Sequence, residues 1–99
     1  MVYKIVFKKR FQNKLDKLLT YIDSEFGLIV AQNFASQLNN KFHFLQLQPF
    51  ACTPSANFPN VRSILIGRYN RMYYKIESDK IVVINIYDTR IHPKRNRLK

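Results

Sequence analysis

A chain of 99 residues makes one domain and leaves no room for a second hydrophobic core. Its hydrophobic fraction of 46% and aromatic fraction of 14%, with only two glycines and four prolines, exclude a disordered or low-complexity polymer. Seventeen Lys and Arg against six Asp and Glu give a net charge of +11 and a pI near 10.1, more than solubility requires, so the chain is expected to attract nucleic acid, an anionic membrane or an acidic protein.

The lone cysteine, Cys52, excludes an internal disulfide and a cysteine-based zinc site, which fits a reducing cytoplasm. No apolar run approaches the roughly 20 residues of a membrane helix. The strand-like VYKIVF after Met1 is too short and wrongly flanked for a secretory signal. The chain therefore reads as complete and cytoplasmic, without a membrane partner.

Val2 to Lys8 alternates, and Tyr3, Ile5 and Phe7 form the face expected to meet the helices. From Lys9 the period becomes helical. Phe11, Leu15, Leu18, Ile22 and Phe26 recur at steps of three and four, Leu19 widens the stripe, and Lys9, Arg10, Lys14, Asp16 and Lys17 take the polar face. Gly27 supplies the stop. A second helix is predicted from about Leu28 to Gln46, with Ala31, Phe34, Ala35, Leu38, Phe42 and Leu45 buried. The short connection implies an antiparallel helix hairpin. Pro49 ends it. Gln48 to Asn60, with Pro49, Pro54 and Pro59, reads as a crossing loop anchored by Phe50 and Phe58.

Three strands follow, over Val61–Gly67, Tyr69–Glu77 and Lys80–Asp88, joined by turns at Gly67-Arg68 and Ser78-Asp79. The order β-α-α-β-β-β is that of an α+β domain, a helix hairpin on one face of an antiparallel-dominated sheet. Strict alternation puts Met72, Tyr74 and Ile76, with Val82, Ile84 and Ile86, under the helices. Ile81 and Val83 would then lie on the opposite face with Asn85 and Tyr87, where Arg71, Tyr73 and Lys75 complete a basic and aromatic surface. Residues 90–99 form a basic tail carrying Arg90, Lys94, Arg95, Arg97 and Lys99.

No carboxylate pair, glycine-rich phosphate loop or metal-ligand spacing offers itself, so neither metal nor cofactor is expected. Asp88, at the end of a strand before Arg90, could orient an arginine or cap the turn. His43, between Phe42 and Phe44, reads as structural. His92, among basic residues, has the chemistry of an acid or base at neutral pH. Cys52 has no neighbouring base to activate it. The remaining constellation is Arg62, Arg68, Arg71, Lys75 and Arg90 with Tyr73 and Tyr87, extended by Lys94 and Arg95. Arginine forks pair with phosphate oxygens, and tyrosine rings give bases a stacking face. Such a set can bind RNA and stabilise charge on a scissile phosphate without a metal.

In VRSILIGRYNRMYYKI and VVINIYDTR, preceded by the helical FQNKLDKLLTYIDSEFGLIVAQNFASQLNNKFHFLQLQP, the whole chain resembles the RelE/ParE superfamily of bacterial type II toxins, a plasmid-stabilisation family. The resemblance implies a toxin that arrests growth when free of a cognate antitoxin, whose toxin-wrapping segment is typically acidic. RelE-like members cut mRNA on the ribosome with basic residues and usually a C-terminal tyrosine or histidine. ParE-like members poison DNA gyrase and have no established catalytic residues. On the RNA-cutting pattern Arg71 matches the strand arginine and Arg90 the arginine after the last strand, with His92 as a substitute for the tail tyrosine. Arg62 falls where that branch carries a lysine, but Ile64 or Leu65 replaces the second lysine, and nothing after Tyr87 is aromatic. The long hairpin resembles the ParE-like branch. The implied function is therefore a gyrase-directed toxin, with a metal-independent mRNA endoribonuclease as one alternative. A non-toxic basic module binding RNA or an acidic protein is the alternative of another class.

Overall fold

The computed structural model describes residues 2–56, 58 and 60–89. Strand β1 (Lys4–Phe7) leads into helix α1 (Lys9–Phe26), and helix α2 (Leu28–Leu47) returns beside it. Strands β2 (Val61–Ile66), β3 (Asn70–Glu77) and β4 (Lys80–Asp88) follow. The hairpin turns on Gly27, whose φ of 95° suits a residue without a Cβ, and whose N–H closes α1 by donating to the Asp23 carbonyl at 2.9 Å.

The sheet order is β1-β4-β3-β2, with β1 parallel to β4 and the other pairs antiparallel. The helix hairpin and the crossing loop thus carry the chain from one edge of the sheet to the other. A reciprocal pair of bonds fixes β1 under the end of α2. The Tyr3 N–H donates to the Gln46 carbonyl at 3.0 Å, and Gln46 Nε2 donates to the Tyr3 carbonyl at 3.1 Å.

The helices cover one face of the sheet. Phe11 and Ile22 of α1 and Ala31, Phe34, Leu38 and Leu45 of α2 pack on Ile64, Ile66, Met72, Tyr74, Ile81, Val83 and Ile86. Burying a large side chain of this kind stabilises by about 1.5–3 kcal/mol. Phe7 stacks on Phe11, with centroids 5.7 Å apart, and meets Phe42 at 5.1 Å, closing the core at the end of β1. Ala35, expected in the buried stripe of α2, is exposed.

Strict alternation fails on β4. Tyr73 pairs with Asn85 but Tyr74 pairs with Val83, so Ile84 is an extra residue and the register shifts there. Ile81 and Val83 therefore face the helices together with Ile86. Val82, opposite Lys75, lies on the other face. The expected set of Val82, Ile84 and Ile86 is corrected by this bulge, while Asn85 and Tyr87 stay opposite Tyr73 and Arg71.

The crossing loop is held by polar bonds together with Phe50, which is exposed on one side but meets Tyr3 edge to face with centroids 6.4 Å apart; Phe58 is exposed. Tyr74, with its ring fully buried, donates from Oη to the Pro49 carbonyl at 2.9 Å. Burial pushes the Tyr74 phenol well above its ordinary pKa, so it stays a neutral donor. Arg62 donates through Nη1 to the Cys52 carbonyl and, at 3.4 Å, to that of Phe50, and its guanidinium lies 5.2 Å from the centre of the Phe50 ring.

Candidate functional site

The face away from the helices is built from pairs across three strands. Arg71, Tyr73 and Lys75 of β3 stand between Leu65, Ser63 and Val61 of β2 and Tyr87, Asn85 and Val82 of β4. Arg71 is half-buried and donates from Nη1 to Ser63 Oγ at 2.9 Å, which holds its guanidinium over the sheet. Tyr73 and Tyr87 meet edge to face with centroids 5.8 Å apart. Lys75 pairs with Glu77 at 2.8 Å, and the hydrogen bond and charge of this lysine hold the Glu77 carboxyl below the usual glutamate range.

Asn85 and Tyr87, expected to be presented on this surface, are 4% and 9% exposed. Asn85 Nδ2 donates to Tyr87 Oη at 3.1 Å, and its Oδ1 accepts from the Ile86 N–H at 2.9 Å. The Tyr87 ring is covered from α1, with Lys14 Nζ 5.2 Å from its centre. Burial raises the Tyr87 pKa, while the charge of Arg10 and the Asn85 bond oppose that shift without cancelling it. Tyr87 is therefore a neutral phenol at physiological pH, fitted for hydrogen bonding and stacking.

Pairing of β1 with β4 stops at Phe7 and Val83, so β4 extends beyond β1. The first turns of α1 fill that space and bring Lys14 against Tyr87, with Arg10 close enough to act on its phenol. Local sequence pattern gives no signal for this, because helical period puts Lys14 and Arg10 merely on the polar side. Both lie in the N-terminal half of α1, whose first turn holds no acidic residue, so the helix dipole adds to their positive potential.

The structure does not bring all the candidates together. Arg71, Tyr73, Lys75 and Tyr87 share the face. Arg62 does not, because its alternation matches Ile64 and Ile66 and its guanidinium grips the crossing loop on the helix side. Arg68 lies exposed in the β2–β3 turn. Thr89 donates its N–H to the Tyr69 carbonyl beside that turn. Arg90, His92, Lys94 and Arg95 lie outside the described residues. His43 is exposed on α2, and Cys52 is half-buried in the loop. Among the described residues no three His, Cys, Asp or Glu side chains cluster to hold a metal ion, and no helix is long and apolar enough to cross a membrane. The arrangement can hold an anionic partner, with cations around paired tyrosine rings.

Comparison with known proteins supplies the family. Residues 5–93 match the ParE toxin of the type II toxin–antitoxin system parDE. No curated protein sequence matches the chain. Among solved structures, the fold resembles the chromosomal ParDE toxin–antitoxin system of P. aeruginosa, with a TM-score of 0.74 and 13% identity over 88% of this chain and 96% of the other. The YoeB/ParE toxin of Agrobacterium tumefaciens gives 0.64 and 14% over 86% and 96%. The RelBE2 toxin–antitoxin complex of Mycobacterium tuberculosis gives 0.60 and 18% over 89% and 99%. At these identities the solved structures speak for the fold alone, two helices on a four-stranded, mostly antiparallel sheet. The match over residues 5–93 speaks for descent: the chain belongs to the ParE toxin family of type II toxin–antitoxin systems.

Proposed function

We propose that this toxin arrests growth by acting on DNA gyrase, without cutting RNA, when it is free of a cognate antitoxin. The observation that carries the reading is the engagement of Arg62. Its guanidinium is bonded to the carbonyls of Cys52 and Phe50 on the helix side of the sheet. The RNA-cutting pattern has a lysine at this position and a second one on the same strand, where this chain has Ile64 or Leu65. Arg71 is then the cation of β2 and β3 that occupies the open face without an acidic side chain bonded to it, since Lys75 is paired with Glu77. One such arginine suits capture of a partner better than stabilisation of a pentacoordinate phosphate, which needs several converging donors.

The antitoxin's binding segment is expected to be acidic and to cover Arg71, Tyr73 and Tyr87, with Lys14 at the margin. Type II complexes of related fold, such as RelBE2, motivate that partner. A second reading, ribosome-dependent mRNA cleavage through Arg71, Arg90 and His92, draws on the cation-and-tyrosine character of the same face.

Expression of the chain alone in bacteria separates these readings. Gyrase-dependent double-strand DNA breaks with intact mRNA are expected. Codon-phased mRNA cuts found by primer extension would move the activity to the ribosome. Undisturbed growth with folded, soluble protein would leave a non-toxic binding module.

A further inference from the structure

We propose that the tip of the helix hairpin is a self-association surface, through which two copies of this chain meet about a two-fold axis. The proposal is independent of the target chosen above and concerns a different part of the molecule. It begins with charge. Residues 18–40 contain no Lys, Arg or His and hold two acids, Asp23 and Glu25. All 17 Lys and Arg and the other acids lie elsewhere, so the net +11 divides into +13 outside the hairpin tip and −2 within it.

The same stretch carries a concentration of exposed apolar side chains. Ile29 is 73% exposed, Phe26 62% and Leu28 61%, and Tyr21 and Val30 are exposed beside them. Tyr21 and Phe26 lie edge to face with centroids 6.3 Å apart at the end of α1, and Leu28, Ile29 and Val30 follow directly across Gly27. At its apex Gly27 has no side chain, and a Cβ built there meets nothing within 4 Å, so another backbone can approach closely. An apolar patch of this kind in a soluble protein marks an interaction surface.

Its chemistry selects the occupant. Nucleic acid and acidic segments are not attracted to a −2 apolar surface. A second copy is, because this is where two strongly basic molecules can touch without bringing their basic regions together. Along α1 from Lys17, its basic residue nearest the tip, to Phe26 the rise is about 13 Å, longer than the roughly 8 Å Debye length at physiological salt. Tip-to-tip contact therefore keeps the basic side chains of the described body apart and presents the same patch twice, as an isologous interface requires.

Sedimentation velocity of the full chain, over a concentration series and at low and high NaCl, tests this. The expected result is a reversible dimer that tightens as salt rises, because salt screens repulsion between the basic bodies while the contact itself is apolar. Ile29→Glu adds a buried charge to each half of the contact and should weaken the dimer by about a hundredfold. Phe26→Ser should act in the same direction. Both positions are exposed, and unchanged melting curves would verify that the monomers still fold. A chain that stays monomeric at all concentrations overturns the proposal. So does a dimer that salt dissociates, which would mean an acidic tip seated on a basic face, or one that both variants leave intact.

Discussion

Arg62 and Arg71 lie on paired strands and do opposite work. Arg62 shares its side of the sheet with Ile64 and Ile66 and bonds two loop carbonyls. Arg71 faces away from the helices and donates to a side-chain hydroxyl, Ser63 Oγ. One arginine has become part of the scaffold. The other is half-buried on the open face, with its guanidinium on Ser63. Residue type and charge are the same, so position on the pleat decides which arginine is tied to the loop and which faces away from the helices.

The largest effect on stability is expected from Arg62→Ala. Hydrogen bonds from a charged group are each worth about 1.5–3 kcal/mol, and removal also uncovers the Phe50 ring, so a loss of about 2–4 kcal/mol is expected in urea unfolding. Arg62→Lys should recover only a part, since an ammonium lacks the planar fork that reaches two carbonyls. Tyr74→Phe removes the bond to Pro49 on the same side of the sheet and leaves a buried carbonyl without its donor, a loss of about 1–3 kcal/mol. If either variant matches the parent in stability, the loop is not held from this side.

Arg71→Ala should sharpen the contrast. It is expected to cost less than about 1 kcal/mol of stability, the worth of one part-buried side-chain bond. Its effect should fall on recognition: affinity for the cognate antitoxin, measured by calorimetry, drops by about tenfold, and the salt dependence of binding becomes shallower. A large loss of folding stability with unchanged affinity would reverse the assignment of scaffold and partner surface.

How far the sequence discloses these roles depends on the range of the interaction. Apolar spacing and Gly27 locate both helices because those signals are local, and the three later strands follow from β-branched and aromatic runs. Alternation from Ile64 and Ile66 already puts Arg62 on the core side, so that role was accessible. The Ile84 bulge was not, because residues 81–84 are an unbroken apolar run and a one-residue slip leaves no mark in its pattern. Lys14 and Arg10 at Tyr87 were hidden for another reason. Their place depends on parallel pairing between the first strand and the last, which no local spacing encodes.

Local backbone strain gives a smaller test that leaves both arginines untouched. Ser78, in the two-residue turn between β3 and β4, has a φ of 54°, where a Cβ is unfavourable. Ser78→Gly relieves that crowding but gives the unfolded chain more freedom, so a net gain of no more than about 1 kcal/mol is expected in thermal unfolding. Antitoxin affinity should not change.

The smallest effect separates two cations on the same face. Lys75 lies two residues beyond Tyr73 on the Arg71 side of the strand, yet its charge is engaged by Glu77 at 2.8 Å. The Glu77 pKa is depressed, chiefly by the hydrogen bond and charge of Lys75. A carboxyl with a lowered folded pKa contributes stability above its unfolded pKa, and this is lost as pH falls through the folded value. Acidification should therefore remove a small stabilising contribution in the parent but not in Glu77→Gln, so the difference between them at neutral pH narrows in acid unfolding curves. Binding should move in the opposite sense: at neutral pH Glu77→Gln frees Lys75 and slightly tightens an acidic partner. If that variant weakens the partner instead, Lys75 recognises it only while paired, and the face must be read as an ordered ion-pair surface rather than as free positive charge.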